Sequence, residues 1–214
     1  RALADMREDY RRAELDEANC QTNPFEQFEL WLHEAQIADL KEPNAMCLAT
    51  ATADGRPSNR IVLLKEFSEA GFVFYTSYTS RKGQEIKTNP YCALTFLWAE
   101  LERQVRVEGK ALPVPREQTE AYFKRRPKGS RLGALVSNQS QVLPSRKPLQ
   151  DRLSELEMRY AATEDVPVPE YWGGYRVVPD SVEFWQGRTN RLHDRLRYRR
   201  DARSGNWTIE RLSP

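Results

Sequence analysis

From residue 45 onward, the sequence is a succession of short segments with β-strand character, separated by turn residues. The predicted strands cover residues 45–52, 59–67, 72–76, 91–98, 103–111, 174–178, 181–185, 192–199 and 207–212. Turn signals such as Asp54-Gly55 separate them. Parallel strands need a long crossover connection, whereas short successive strands suit hairpins. The pattern therefore predicts a mainly β fold, an antiparallel barrel with helices as inserts.

Helical segments are predicted from Asn23 to about residue 35, and at about 80–87, 115–125, 130–137 and 147–161. Asn23 is a good N-cap, and Phe28 and Trp31 follow at helical spacing, which predicts a buried stripe. Residues 1–22 are predicted to form an N-terminal arm or helix, and residues 23–214 to form a single domain, because no stretch is typical of a linker.

Bulk composition narrows the class of protein. The 214 residues include 33 basic and 31 acidic ones, so the net charge of +2 predicts neither a nucleic-acid partner nor a membrane partner. No apolar run approaches the ~20 residues that cross a bilayer. Cys20, Cys47 and Cys92 lack metal-type spacing, and their odd number favours reduced thiols and a cytoplasmic location. The sequence begins with Arg1 rather than methionine, which leaves a trimmed leader open.

Local clusters of basic residues are the candidates for anion binding. Arg60 and Lys65 flank an apolar segment, and strand alternation puts them on opposite faces, where they would serve different anions. Arg81 and Lys82 follow Ser80, a good N-cap, and therefore lie in a first helical turn, where the helix dipole favours anions. A phosphate at this helix start would explain why Arg81 and Lys82 lie there. For each of the two pairs, solvated surface charges are the alternative explanation.

A third cluster surrounds the end of the predicted helix at 115–125. Tyr122 and Arg126 are four residues apart and share a helix face, and Ser130 is suited to cap the next helix. A phenol, a guanidinium and a hydroxyl beside a helix N-terminus would suit a phosphate monoester. A nucleic-acid patch is the competing interpretation, but the segment lacks the interleaved aromatic residues of a stacking surface.

The segment WQGRTNRLHDR at 185–195 is the fourth cluster. In an extended conformation, Arg191, His193 and Arg195 point to one face and need an acidic neighbour or an anionic ligand. With only two histidines in the chain, a metal site at His193 is not predicted, and no nucleophile-elbow sequence supports a hydrolase. The absence of GxGxxG and GxxxxGK[ST] argues against Rossmann and P-loop nucleotide sites.

Taken together, the motifs resemble those of the pyridoxine (pyridoxamine) 5′-phosphate oxidase family along nearly the whole chain. The matching runs are RIVLLK at 60–65, FYTSYTSRKG at 74–83, RQVRVEGKA at 103–111, SNQS at 137–140, WGGYRV at 172–177 and EFWQG with NRLHDR at 183–195. Several separate motifs in one order are much more specific than any of them alone.

The resemblance implies an FMN-binding split β-barrel, antiparallel and of Greek-key type with peripheral helices, and a homodimer with FMN at the subunit interface. For FMN it implies Arg60, Ile61, Val62, Leu63, Leu64, Lys65, Tyr75, Thr76, Arg81, Lys82, Gln104, Gln139, Ser140, Trp185 and Arg195. For the substrate it implies Lys65, Tyr122, Arg126, Ser130, Arg191 and His193. Arg7 and Tyr10 match, less closely, an N-terminal segment that covers the substrate.

The implied reaction oxidises pyridoxine 5′-phosphate or pyridoxamine 5′-phosphate to pyridoxal 5′-phosphate, with O2 as acceptor and hydrogen peroxide as product. Arg191 and His193 would face the pyridine ring as the catalytic residues, so Arg191→Ala should damage turnover more than flavin retention. Two alternatives stay open: another split-barrel flavoprotein, such as a reductase of a substrate without phosphate, and a non-enzymatic binder of pyridoxal phosphate or RNA.

Overall fold

The computed structural model describes residue 3 and residues 9–214. Within them, nine strands form one antiparallel sheet in the order β2-β1-β5-β6-β7-β4-β3, with β8 added on β7 and β9 on β8. The strands are β1 (Ala45–Ala51), β2 (Pro57–Leu63), β3 (Glu66–Ser68), β4 (Gly71–Ser77), β5 (Tyr91–Trp98), β6 (Arg103–Pro113), β7 (Trp172–Gln186), β8 (Asp194–Arg200) and β9 (Trp207–Arg211). The helices are α1 (Pro24–Ile37), α2 (Arg81–Thr88), α3 (Arg116–Arg125), α4 (Lys128–Val136) and α5 (Lys147–Arg159). The sheet curls into a half-barrel with peripheral helices, which confirms the predicted fold class.

The long strand β7 is where the sheet divides. β6 pairs with most of its length, whereas on the other side β4 pairs with residues 172–177 and β8 with residues 181–186. The sequence predicts separate strands at 174–178 and 181–185, and Pro179 lies between them. The chain stays extended there because the β6–β7 register shifts between Glu108 and Gly109, opposite Pro179. Such a bulge accommodates a residue that has no N–H to donate.

Three further sequence expectations are wrong in detail. The strand expected at 59–67 is two strands, because the chain changes its partner here. The Leu64 N–H bonds to the Asn44 carbonyl just before β1, whereas the Lys65 N–H bonds to the Val73 carbonyl on β4. The strand expected from residue 192 begins only at Asp194, because Arg191 has φ 60° and lies in a 3₁₀ turn. The helix expected at 130 begins at Lys128 with Pro127 as its N-cap, so Ser130 does not cap it.

The core lies between the curled sheet and α1. Asn23 caps α1 by accepting a hydrogen bond from the Phe25 N–H at 2.9 Å, as predicted. Phe28 and Trp31 are buried, and the Trp31 ring meets the Phe184 ring edge-on at 5.2 Å. A second core cluster forms around Phe123, between α3, α4, α5 and the start of β7. No helix among the described residues is long and apolar enough to cross a bilayer.

Candidate functional site

The start of α2 carries the first group of residues that the sequence assigned to FMN. The Lys82 ammonium donates to Gln139 Oε1 at 2.7 Å and to Thr76 Oγ1 at 3.2 Å. Next to it, Ser140 Oγ accepts a hydrogen bond from the Arg81 N–H at 3.2 Å. Burial, and then the charge of Arg60, lower the pKa of Lys82 to about 8. A buried cation with a lowered pKa is stabilised by any anion that binds beside it.

Glu85 links the two arginines of this cluster. Its carboxylate accepts from Arg81 Nε at 2.9 Å, from Thr50 Oγ1 at 2.5 Å and from Ser58 Oγ at 2.6 Å, and lies 3.5 Å from Arg60 Nη2. Burial by itself would raise the pKa of Glu85, but these hydrogen bonds and the Arg81 charge lower it to about 2. The carboxylate therefore stays ionised and fixes both guanidinium groups.

The assigned residues Ile61, Val62, Leu63 and Leu64 follow Arg60 along the edge of the sheet. β2 has a strand neighbour on one side only, so part of its backbone points away from the sheet. Ile61 is exposed, whereas Leu64 is buried beyond the end of the strand. Backbone groups here are suited to meet a ligand, while Leu64 contributes to the core.

A cavity of about 310 Å³ is lined by three of the six residues that the resemblance implies for the substrate. Lys65, Tyr75, Tyr122 and Arg126 line it together. The rings of Tyr75 and Tyr122 are stacked with centroids 3.9 Å apart, so Tyr75, which the resemblance assigns to FMN, also borders this cavity. Burial raises the pKa of Tyr75 to about 12, so its hydroxyl remains protonated.

Arg126 brings a buried polar atom without a described partner to this cavity. Its guanidinium lies over the Trp172 ring at 4.6 Å, and its buried Nη1 has no hydrogen-bond partner among the described residues. Burial lowers the pKa of Arg126, although an arginine stays charged. A buried donor without a partner is costly, which makes this atom the natural contact for an anion.

Ser130 differs from the other residues assigned to the substrate. It lies exposed in the first turn of α4 and does not line the cavity in which Arg126 lies. The sequence placed Tyr122, Arg126 and Ser130 together, and the structure brings only Tyr122 and Arg126 to the same cavity.

Gln104, Trp185 and Arg195 form one row across three neighbouring strands. Gln104 on β6 is opposite Trp185 on β7, which is opposite Arg195 on β8. Arg195 makes a two-point ion pair with the buried Glu183, with distances of 2.8 and 3.1 Å. The sequence predicts either an acidic neighbour or an anionic ligand for this run of cations, and Glu183 is such a neighbour for Arg195.

His193 and Arg191 adjoin this row from the 3₁₀ turn. The His193 ring packs against Trp185 with centroids 4.6 Å apart and against Tyr10 at 5.8 Å, so Tyr10 covers this corner. Arg191 is exposed. Burial, and then the Arg191 charge, lower the pKa of His193 against the opposing effect of Asp194. Arg7, the other residue expected to cover the substrate, lies outside the described residues.

The predicted site residues therefore form three groups: the cluster at α2, the cavity of Arg126 and the row at Trp185. Among the described residues, no hydrogen bond, ion pair or ring contact joins the row to the other two groups. Along the sheet, Arg60 on β2 and Gln104 on β6 are separated by β1 and β5.

Sequence reasoning missed Glu85, Glu183 and Arg188. Glu85 had a local signal, since it lies four residues after Arg81 on one helix face. Glu183 is two residues before Trp185 and could be paired with Arg195 only once the β7–β8 register was known. Arg188 was given no role, yet its backbone N–H bonds to His193 and its side chain to Glu14.

Comparison with known proteins gives the chain a family. Residues 32–160 match a family model described as pyridoxamine 5′-phosphate oxidase, and residues 172–214 match one described as pyridoxine 5′-phosphate oxidase C-terminal dimerisation region. Proteins named pyridoxine/pyridoxamine 5′-phosphate oxidase are 54% identical in Salinibacter ruber and 56% identical in Burkholderia multivorans. Each alignment covers 99% of this chain and 99% of the relative.

Solved structures agree with this assignment. PhzG from Burkholderia lata, crystallised in complex with tetrahydrophenazine-1-carboxylic acid, superposes with a TM-score of 0.86 at 32% identity, over 92% of this chain and 95% of that one. A pyridoxamine 5′-phosphate oxidase-related FMN-binding protein from Nostoc punctiforme has a TM-score of 0.72 at 16% identity, which shows the shared fold; it covers 91% of this chain and 100% of that chain. On the strength of both family models and the full-length relatives, the chain belongs to the pyridoxamine 5′-phosphate oxidase family.

Proposed function

We propose that this protein is an FMN-dependent oxidase that converts pyridoxine 5′-phosphate and pyridoxamine 5′-phosphate to pyridoxal 5′-phosphate, with O2 as acceptor and hydrogen peroxide as product. The observation that carries the proposal is the buried, unpartnered Nη1 of Arg126 in a cavity shared with Lys65 and Tyr122. A phosphate monoester would supply the acceptor that this guanidinium lacks, and the phenol and ammonium groups would add further donors.

The residues at α2 fit the phosphate of FMN. Lys82, Arg81 and Arg60 bring three cations to one helix start, and the carboxylate of Glu85 holds the two arginines. Backbone N–H groups at a helix N-terminus favour an anion at the same place. FMN, when bound, would supply the two-electron redox chemistry, and the protein would supply position and charge.

The row at Trp185 is suited to contact the flavin and the pyridine end of the substrate. Trp185 and Arg195 would contact the flavin, and Arg191 and His193 would bind the pyridine ring and orient its C4′ substituent. These residues lie within the stretch that matches the dimerisation region, apart from the cavity of Arg126. We therefore propose a homodimer in which the row of one subunit completes the cavity of the other.

Tyr10 is proposed as part of a lid over the substrate. Its ring packs on Trp185 and His193, and the neighbouring Arg11 and Arg12 N–H groups both donate to Glu102 Oε2 at 3.0 Å. A segment held at this corner would exclude water from the pyridine end of the substrate.

Peroxide release by the FMN-loaded protein tests the proposal. Pyridoxine 5′-phosphate should give turnover, and unphosphorylated pyridoxine should give far less. Arg126→Ala should raise KM for the phosphorylated substrate by about 10- to 100-fold, the range of a lost hydrogen bond to a charged group. The exposed Lys124, two residues before Arg126 in the last turn of α3, provides the matched control, Lys124→Ala, with KM unchanged.

Three results would contradict the proposed function in different ways. Turnover of a tricyclic carboxylate such as that bound by PhzG, without a need for phosphate, would favour a phenazine-type substrate. If the protein oxidised a reduced nicotinamide but released no peroxide with pyridoxine 5′-phosphate, the result would favour a reductase. A protein that stays colourless after incubation with FMN would favour the non-enzymatic binder.

A further inference from the structure

The imidazole of His193 accepts a backbone hydrogen bond. The Arg188 N–H donates to His193 Nδ1 at 3.1 Å. A backbone amide can only donate, so Nδ1 must present its lone pair. In a neutral imidazole one nitrogen carries the proton and the other accepts, which leaves the proton of His193 on Nε2.

The Arg188 amide that donates to Nδ1 is itself fixed by neighbouring contacts. The preceding Gly187 N–H donates to the Glu102 carbonyl at 2.7 Å. The Arg188 side chain pairs with Glu14 at 2.7 Å and donates to the Ala13 carbonyl at 3.3 Å. The amide of Arg188 is thus fixed on both sides, and it cannot turn away to admit a proton on Nδ1 without breaking these contacts.

The surroundings of the ring also oppose its protonation. Trp185 and Tyr10 pack against it, and the facing charged groups are Arg188, Arg191 and Asp194. The Asp194 carboxylate would favour a charged ring, but it already binds Arg211 at 2.9 Å and the Leu15 N–H at 3.1 Å. Burial and Arg191 therefore prevail, and the pKa of His193 is lowered.

We propose that the Arg188 amide fixes His193 as a neutral Nε2–H donor, so that His193 holds a proton toward the substrate and does not remove one. The substrate side of this inference rests on the proposed function, whereas the tautomer belongs to the protein itself. Nε2 has no partner among the described residues, and the phenolic oxygen on the ring of a pyridoxine-type substrate would accept a hydrogen bond from it. Arg188 acts here as a positioning residue through its backbone.

Nitrogen NMR can read the tautomer directly. The chain has two histidines, so His33→Gln leaves His193 as the only signal in protein labelled with ¹⁵N-histidine. We expect Nε2 to show the shift of a protonated nitrogen and Nδ1 that of an unprotonated one, and the ring to stay neutral below the ordinary histidine pKa of about 6.5. A proton on Nδ1, or a ring charged near neutral pH, would overturn the proposal.

Substitution separates a donor from a general base. His193→Gln keeps a side-chain N–H donor, so kcat/KM should fall less than about tenfold and its pH profile should stay unchanged. His193→Glu offers only acceptors, so kcat/KM should fall about 100-fold or more. A general base contributes about 100-fold or more, so comparable losses of this size in both variants would overturn the donor role. FMN absorbance confirms that each variant is folded. If wild-type protein releases no peroxide, the proposed function fails, while the NMR result still decides the tautomer.

Discussion

At the scale of single residues, Lys82 shows how a side chain is prepared for an anion. Its ammonium is buried, donates to Gln139 and Thr76, and lies close enough to Arg60 for that charge to lower its pKa. Water no longer stabilises this cation, so a bound phosphate has more to contribute here than at an exposed lysine.

The first prediction concerns the pH dependence of FMN binding. Lys82 loses its proton as pH rises through about 8 in the ligand-free protein, and a bound phosphate raises that pKa. The Kd for FMN should therefore rise above pH 8 by up to about tenfold per pH unit, since one proton is coupled to binding. Fluorescence titration of the apoprotein measures it.

Two variants of α2 control this titration. Lys82→Met should bind FMN more weakly and lose the change near pH 8, whereas Lys87→Met, at an exposed lysine of the same helix, should keep it. If the Kd for FMN changed by the same factor near pH 8 in Lys82→Met, another group would be responsible for the titration.

At the scale of secondary structure, the β6–β7 pairing depends on Gly109. A Cβ at this position would lie 2.1 Å from the Val178 carbonyl oxygen, which is backbone and cannot move aside as a side chain could. The same place carries the register shift opposite Pro179. The close approach of two backbones therefore explains why this strand position holds glycine.

Replacing this glycine gives the second prediction. Gly109→Ala should lower the free energy of unfolding by about 1–3 kcal/mol, because the strands must separate to admit the methyl group. Gly133→Ala in α4 meets nothing within 4 Å and should stabilise by up to about 1 kcal/mol through helix propensity. Urea denaturation measures both, and an unchanged midpoint for Gly109→Ala would show that the bulge adapts.

At the scale of the whole molecule, Arg211 on the last strand joins residues 15–17 to the rest of the fold. Its guanidinium bonds to both Glu17 carboxylate oxygens, at 2.8 and 2.5 Å, and to Asp194 at 2.9 Å. It also donates to the Leu15 carbonyl at 3.2 Å. The last strand thereby holds the N-terminal arm beside the turn that carries His193.

The third prediction tests this attachment by proteolysis. Arg211→Leu should speed tryptic cleavage after Arg11 or Arg12 by about fivefold, since exposed ion pairs contribute about 1 kcal/mol or less. Arg203→Leu is the control, because Arg203 lies exposed in the β8–β9 turn and its side chain makes no described ion pair or hydrogen bond. Mass spectrometry of the released N-terminus gives the rate, and equal rates would place the restraint elsewhere.

The fourth prediction tests whether the site is shared between subunits. With substrate well below KM, Arg126→Ala and Arg191→Ala homodimers should both be nearly inactive, but a hybrid of the two has one site with both arginines. Random co-expression should restore about a quarter of the wild-type activity, because half of the dimers are hybrids with one of two sites intact. Activity no higher than that of the parents would mean that one chain supplies both groups.

Local sequence chemistry determined much of this protein. Turn residues and alternation located most strands of the sheet, although they merged β3 with β2 and divided β7 in two, and Asn23 marked the start of α1, because these signals act over a few residues. The motifs around Arg60, Arg81 and Arg126 also indicated anion sites, since clustered cations are visible without a structure.

Contacts between distant residues decided the rest. The joining of two predicted strands into β7 depends on a bulge in β7 itself, where Asp180 has no partner on β6, and the turn at Arg191 depends on a positive φ that no alternation reveals. The burial of Arg126 against Trp172 brings together residues 46 positions apart in sequence (172 minus 126), and only that burial leaves Nη1 without a partner. Sequence patterns report nearest neighbours, whereas desolvation and pairing are set by whatever the fold packs against a residue.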